Sequence, residues 1–184
     1  MTELYFATSN TNKFDEVRKI LSNFGVHVEM TKLELAEIQS DDLARIASEK
    51  AKNAYTSLHK NVIVEDDGLF IDSLKAFPGP YSAFVYKTIG NEGILKLLEG
   101  ITDRRATFKS IIAYCDSDVM PVMFVGEVMG IISEISKGRS WGYDPIFVPN
   151  DSGGLTYAEL ASRKNELSHR KLALERFAKW YTKK

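Results

Sequence analysis

The chain has little of what holds a small extracellular protein together. Its single cysteine, Cys115, cannot form an intrachain disulfide, and that points to a reducing compartment. One cysteine and three histidines also argue against a structural zinc site. No apolar run approaches the roughly eighteen residues that a membrane span needs. Net charge is −1 over 184 residues, so the basic excess of a nucleic-acid or membrane-surface binder is missing. Met1–Phe6 lacks the basic region and apolar core of a leader peptide, and there is no repeat, linker or low-complexity segment. What remains is a length that suits one domain, 1–184, with a full core and a cytoplasmic location.

The most informative stretch is Val62-Ile63-Val64-Glu65-Asp66-Asp67-Gly68-Leu69-Phe70-Ile71. Three β-branched residues read as the end of a buried strand. Three acids follow at once, and carboxylates beside a core cost free energy unless a cation or hydrogen bonds compensate. A divalent metal would relieve their mutual repulsion, and Mg²⁺ suits a few carboxylates completed by water and phosphate oxygens. The competing reading is a solvated acidic turn, for which Asp-Gly is ordinary chemistry. Both readings stand until basic, phosphate-binding partners are found elsewhere.

Upstream, Leu4–Ala7 reads as a strand that enters the hydroxyl- and amide-rich loop Thr8-Ser9-Asn10-Thr11-Asn12-Lys13. Phe14, Val17, Leu21 and Phe24 then recur at helical spacing, with Asp15 and Glu16 in the first turn and Gly25 as the stop. A strand-to-helix junction with a lysine is a phosphate site by virtue of its backbone N–H groups and helix dipole; N-capping by Asn10 or Asn12 is the simpler use of the same residues. The spacing is not that of a P-loop. Val26–Met30 alternates as a strand, Leu33–Gln39 reads as an extended loop, and a helix from Asp41 or Asp42 turns Leu43, Ile46, Ala47, Ala51 and Ala54 inward. Lys50 and Lys52 fall on different faces of that helix, so only one can readily point into a shared pocket.

Phe77–Ala83 is expected to form a rigid turn that shapes a wall, and Glu92–Leu98 a short helix. Thr107–Tyr114 and Val122–Ile132 alternate as a hairpin around Cys115-Asp116-Ser117-Asp118. Trp141-Gly142-Tyr143-Asp144-Pro145 reads either as a pocket that stacks a flat ring or as a structural turn with its aromatics in the core. Ser168 is placed to cap a last helix whose apolar face is Leu174, Phe177, Ala178 and Tyr181. His169 and Arg170 then lie in its first turn, where the helix dipole disfavours cations; a facing anion or carbonyl-rich ligand would offset this.

In order and spacing, these pieces resemble the inosine triphosphate pyrophosphatase family, which clears non-standard purine nucleotides. The resemblance rests on Thr8–Lys13 with Glu16, on Glu65-Asp66-Asp67-Gly68-Leu69, on Pro78–Ala83, on Trp141–Pro145, and on Lys164 with Ser168-His169-Arg170, and it spans nearly the whole chain. Asp67 stands where many relatives have Ser or Thr, Trp141 where many have Phe, and Phe84 where many have a basic residue. The implied fold is α/β: a long twisted mixed sheet flanked by helices, with two lobes and a central nucleotide cleft. The implied reaction splits ITP, dITP or XTP into a monophosphate and pyrophosphate.

The resemblance assigns Thr8, Ser9, Asn10, Thr11, Asn12 and Lys13 to the triphosphate, with Lys50 as a further phosphate contact. Asp66 is the implied general base and, with Glu37, the metal ligand; Asp67 contacts substrate or a nearby water. Trp141, Gly142, Tyr143, Asp144, Lys164, His169 and Arg170 are assigned to the base. Mg²⁺ is the implied cofactor, with Mn²⁺ as the alternative, and a homodimer the implied assembly; no nucleic-acid or membrane partner is expected. Rival readings are a pyrophosphatase for modified pyrimidine or methylated nucleotides, against which the late Lys164 and His169-Arg170 set argues, a non-catalytic nucleotide sensor, and a kinase, which lacks its P-loop or kinase signature.

Overall fold

A computed structural model describes residues 3–117 and 120–184; Met1, Thr2, Asp118 and Val119 lie outside the described residues. The chain order is β1 (Tyr5–Ala7), α1 (Thr11–Ser22), β2 (Glu29–Thr31), α2 (Leu43–Leu58), β3 (Val62–Ile71), β4 (Pro78–Gly79), α3 (Ser82–Thr88), α4 (Gly90–Leu97), β5 (Arg105–Cys115), β6 (Val122–Ile132), β7 (Phe147–Pro149), α5 (Tyr157–Leu160), α6 (Lys164–Leu167) and α7 (His169–Tyr181). One seven-stranded sheet has the order β2-β1-β3-β5-β6-β7, with β4 paired to β3. It is mixed: β1 runs parallel to β2 and β3, whereas β4 and β7 are antiparallel to their neighbours.

Strand β3 does not end at its acids. It continues through Glu65, Asp66 and Asp67 to Ile71, so the acidic turn is overturned. Gly68 is there for space and not for turning. A Cβ on it would lie 2.6 Å from the carbonyl oxygen of Gly79 on β4, well inside contact distance. The proline segment is fastened to β3 by Ser82, whose hydroxyl accepts from Leu69 N at 2.8 Å and donates to Gly79 O at 2.7 Å.

Two compact units share the chain. Unit 1 comprises Met1–Asp66, Ser110–Gly126 and Arg170–Lys184; unit 2 comprises Asp67–Lys109 and Glu127–His169. In unit 1, Val17, Ile20 and Leu21 of α1 and Ala173, Leu174, Phe177 and Ala178 of α7 bury against Phe6, Ile63, Ile112 and Tyr114 of the strands. In unit 2 a second core gathers Leu69, Ile71, Ile94, Phe108, Tyr143, Phe147 and Tyr157. Burial of apolar area at about 25 cal/mol per Å² drives both.

Several boundaries differ from the expected ones: β5 starts at Arg105 and runs through Cys115, α4 runs from Gly90 to Leu97, and α3 begins at Ser82, inside the segment expected to be a turn. Strand β2 starts at Glu29 and not Val26. Its partner β1 is only Tyr5–Ala7, so Val26 and Val28 bury in the core without a ladder to join. Helix α1 starts at Thr11 because Asn10 Oδ1 accepts from Lys13 N, which moves Asp15 and Glu16 out of the first turn. It stops at Ser22, leaving Phe24 beyond its end. Helix α2 is capped by Asp42, which accepts from Ala44 N, and buries all five of its expected inward residues.

Candidate active site

The phosphate-type residues gather in unit 1. Thr8 follows β1, and its Oγ1 accepts from Asn10 N at 3.1 Å; Asn10 in turn caps α1. These two side chains are therefore spent on shaping the loop, as the capping alternative holds, while Ser9, Thr11 and Asn12 are exposed at the head of the helix. Lys13 directs its ammonium inward, to 3.2 Å from Glu65 Oε2.

Successive side chains of β3 leave the strand in opposite directions, which separates the tasks of Glu65 and Asp66. Glu65 is fully enclosed: its Oε1 accepts from Arg170 Nε and from Ser110 Oγ, both at 2.8 Å. Arg170, only 1% exposed, also donates from Nη1 to Glu16 Oε2. The anion expected opposite the first turn of α7 is thus supplied by the protein, through Glu65 and Glu16. Nε and Nη1 of Arg170 are engaged there and not presented to a base.

Asp66 Oδ1 accepts from Lys50 Nζ at 2.8 Å, and the same ammonium donates to Glu37 on the loop before α2. Lys50 therefore spans the two carboxylates assigned to metal, while Lys52 pairs with Glu49 instead. Burial raises the pKa of Asp66, and the charges of Lys50 and Lys13 offset only part of this. Burial opposes the Lys50 ammonium, but Asp66 and then Glu37 outweigh it and raise its pKa. Asp66 Oδ2 is buried with no hydrogen-bond partner, a costly state for a carboxylate oxygen. That orphaned acceptor fits a divalent cation, and Asp66 with Glu37 would offer the small carboxylate set Mg²⁺ takes beside water and phosphate oxygens.

The base-type residues divide differently. In unit 2, Lys164 is 5% exposed and donates to Asp144 Oδ2 at 2.8 Å, which also accepts from Ser140 Oγ at 2.7 Å. The ammonium lies 4.8 Å from the Trp141 ring centroid and 5.6 Å from that of Tyr157, within cation–π reach. Trp141 is half-buried. Tyr143 is a core residue, 4% exposed, with its hydroxyl donating to Ser82 O at 2.8 Å, and burial pushes its pKa up. The motif's two aromatics thus part company: Tyr143 takes the core reading, while Trp141 stays half-buried. Gly142 has φ 63, a backbone that favours glycine, and its carbonyl accepts from Asn91 Nδ2 at 3.0 Å. His169 stacks on Phe108 with centroids 4.0 Å apart, and its Nε2 is 3.9 Å from Asp67 Oδ2.

Residues 4–180 match the Ham1 family, and a dITP/XTP pyrophosphatase of Methanopyrus kandleri is 50% identical over 181 residues, 97% of this chain and 96% of the relative. The chain belongs to the Ham1 family. A second relative, the dITP/XTP pyrophosphatase of Methanosarcina acetivorans, is 42% identical over 186 residues and both chains are covered in full. Among solved structures, a HAM1 protein from Coxiella burnetii agrees with a TM-score of 0.85 at 28% identity, covering 100% of each chain. The resemblance carried by the motifs and the mixed α/β architecture are both borne out.

For a Ham1 protein, the residues that sequence reasoning left without a task are Glu16, Glu65 and Ser110 in unit 1 and Ser140 in unit 2. A signal existed for Glu65. An acid inside an apolar strand lacks a cation, and an arginine at a helix N-terminus lacks an anion; Glu65 and Arg170 answer each other. Nothing in the sequence marks the two serines. Among the described residues no helix is long and apolar enough to cross a membrane.

Proposed function

We propose that the chain hydrolyses purine nucleoside triphosphates carrying hypoxanthine or xanthine (ITP, dITP, XTP), releasing the monophosphate and pyrophosphate. The observation that carries this reading is Asp66: a buried carboxylate with one oxygen on Lys50, the other without a partner, and a raised pKa. Burial raises the Asp66 pKa, which is the direction a general base needs. Phosphoryl transfer needs mainly positioning and charge neutralisation. Lys13, Lys50 and the exposed head of α1 meet that need for the triphosphate, with Ser9, Thr11 and Asn12 turned to solvent.

Asp66 and Glu37 would hold Mg²⁺, with Mn²⁺ as the alternative, and Lys50 would turn from them toward phosphate oxygens. The bound metal would neutralise phosphate charge and lower the pKa of a coordinated water. In unit 2, Trp141 offers a ring for the base, and Lys164, held by Asp144, offers an N–H donor. Hypoxanthine and xanthine carry a carbonyl at position 6, whereas adenine carries an amino group that would leave the donor unpaired. Sites built on such hydrogen bonds reject the wrong ligand by up to about 10⁴–10⁵-fold. The single cysteine supports work in the cytoplasm, and by the same family resemblance the working form is a homodimer.

The test is pyrophosphate release from ITP, XTP, dITP, ATP and GTP, with Mg²⁺ and with EDTA. Metal-dependent release from the first three, with little from ATP, is expected from the carbonyl at position 6; guanine shares that carbonyl, so little release from GTP would have to come from its 2-position. Orthophosphate as the first product would move the cleaved bond, and binding without turnover in folded protein would make the chain a sensor.

A further inference from the structure

Glu65 is among the most completely enclosed acids of the described residues. Its side chain is 0% exposed, and its two oxygens do different work. Oε1 is fixed by two donors from distant parts of the sequence, Arg170 Nε and Ser110 Oγ. Arg170 is itself steadied by Glu16 from the second turn of α1. With Oε1 held, the rotation of the carboxylate is set, and Oε2 has one direction to face. There it lies 3.2 Å from the Lys13 ammonium without a well-formed hydrogen bond. The contact is an electrostatic tether, close enough to hold the ammonium in place.

A lysine is a flexible point charge on a four-carbon stem, and holding it in one place costs rotamer entropy. A residue that holds it beforehand removes that cost from substrate binding. We propose that Glu65 is a positioning residue that presents Lys13 to the substrate's phosphates, with Arg170 and Ser110 acting through it by fixing its carboxylate. The proposal rests on the assignment of Lys13 to phosphate. It also gives Arg170 a task on the phosphate side of the reaction, through Glu65.

A double-mutant cycle tests this, reading the Kd of inorganic pyrophosphate with Mg²⁺ by calorimetry and the kcat and KM of ITP. Lys13→Gln is expected to weaken pyrophosphate and raise the ITP KM by about ten- to a hundred-fold, as loss of a charge-assisted phosphate contact does. Glu65→Gln should do the same to a smaller degree, about ten-fold, with kcat changed much less than KM. In the Lys13→Gln background, Glu65→Gln should cost less than about two-fold, because its effect passes through the missing ammonium. Equal losses in both backgrounds, or an unchanged Kd in Glu65→Gln alone, would overturn the proposal. An unchanged Kd in Lys13→Gln alone would overturn the phosphate assignment, and the proposal with it. If Glu65→Gln does not fold, Ser110→Ala takes its place in the same cycle, with a loss of about two- to five-fold for one hydrogen bond and the same requirement that it vanish without Lys13.

Discussion

The two units bury charge by different means. In unit 1, ions are set against ions: Glu65 against Arg170 and Lys13, and Asp66 against Lys50. In unit 2, the buried Lys164 pairs with Asp144 and lies over the rings of Trp141 and Tyr157, while His169 stacks flat on Phe108. In the proposed reaction, a polyanion such as triphosphate would bring its own charge to counter-charges already desolvated in unit 1. A purine base is neutral and flat, and rings beside a held donor would suit it. The division predicts that changes in unit 1 act alike on every nucleotide, whereas changes in unit 2 act according to the base.

The sharpest way to break that comparison is Asp66→Asn. It keeps the volume and removes the base, so turnover should fall about 10²–10⁴-fold for ITP and XTP alike while nucleotide binding persists. Rapid-quench turnover beside equilibrium binding checks it; near-wild-type turnover would remove Asp66 from the role. Next in size is Lys164→Met, which retains much of the stem's packing but deletes the donor. A drop of about 10–100-fold in kcat/KM for ITP, with pyrophosphate affinity unchanged, is expected from losing one charged hydrogen bond. An equal loss in pyrophosphate affinity would show that Lys164 serves the phosphates, and the division would fail.

The smallest effect lies on the surface of unit 1, where Glu175 accepts from Lys171 and Lys179 one helical turn away on either side. Those hydrogen bonds lower its pKa from 4.5 to about 2. A carboxylate with a depressed folded pKa adds stability that is full above the unfolded value and is lost as pH falls from about 4.5 toward about 2. Solvent screens the pairs, so Glu175→Gln should cost only a few tenths of a kcal/mol at neutral pH and nothing near pH 2. Urea midpoints at the two pH values read the difference, and an equal deficit at both would mean that packing, not charge, is responsible.

Much of this arrangement could be read from the chain. Asp42 as a cap, the inward row of α2, the strand entering the acids and the cations of α7's first turn all follow from local rules. What could not be read depends on distance. Glu65 and Arg170 are 105 positions apart and Glu16 and Arg170 are 154 apart, so neither pairing leaves a local periodicity. The turn reading of Asp67-Gly68 failed for a similar reason, since the need for glycine is imposed by Gly79 on another strand. Likewise, only the tertiary packing decides that Tyr143 is core while Trp141 stays half-open.

Strand β3 is clamped twice: near its start Val62 and Ile63 pair with Tyr5 and Phe6, and near its end Leu69 and Phe70 pair with Gly79 and Pro78. Between the clamps a shift of one residue would turn every side chain to the opposite face. The two clamps therefore fix how many residues stand between Val64 and Gly68. An insertion or deletion of one residue there would swap the faces of Glu65, Asp66 and Asp67 together, an effect that no single substitution in the segment can reproduce.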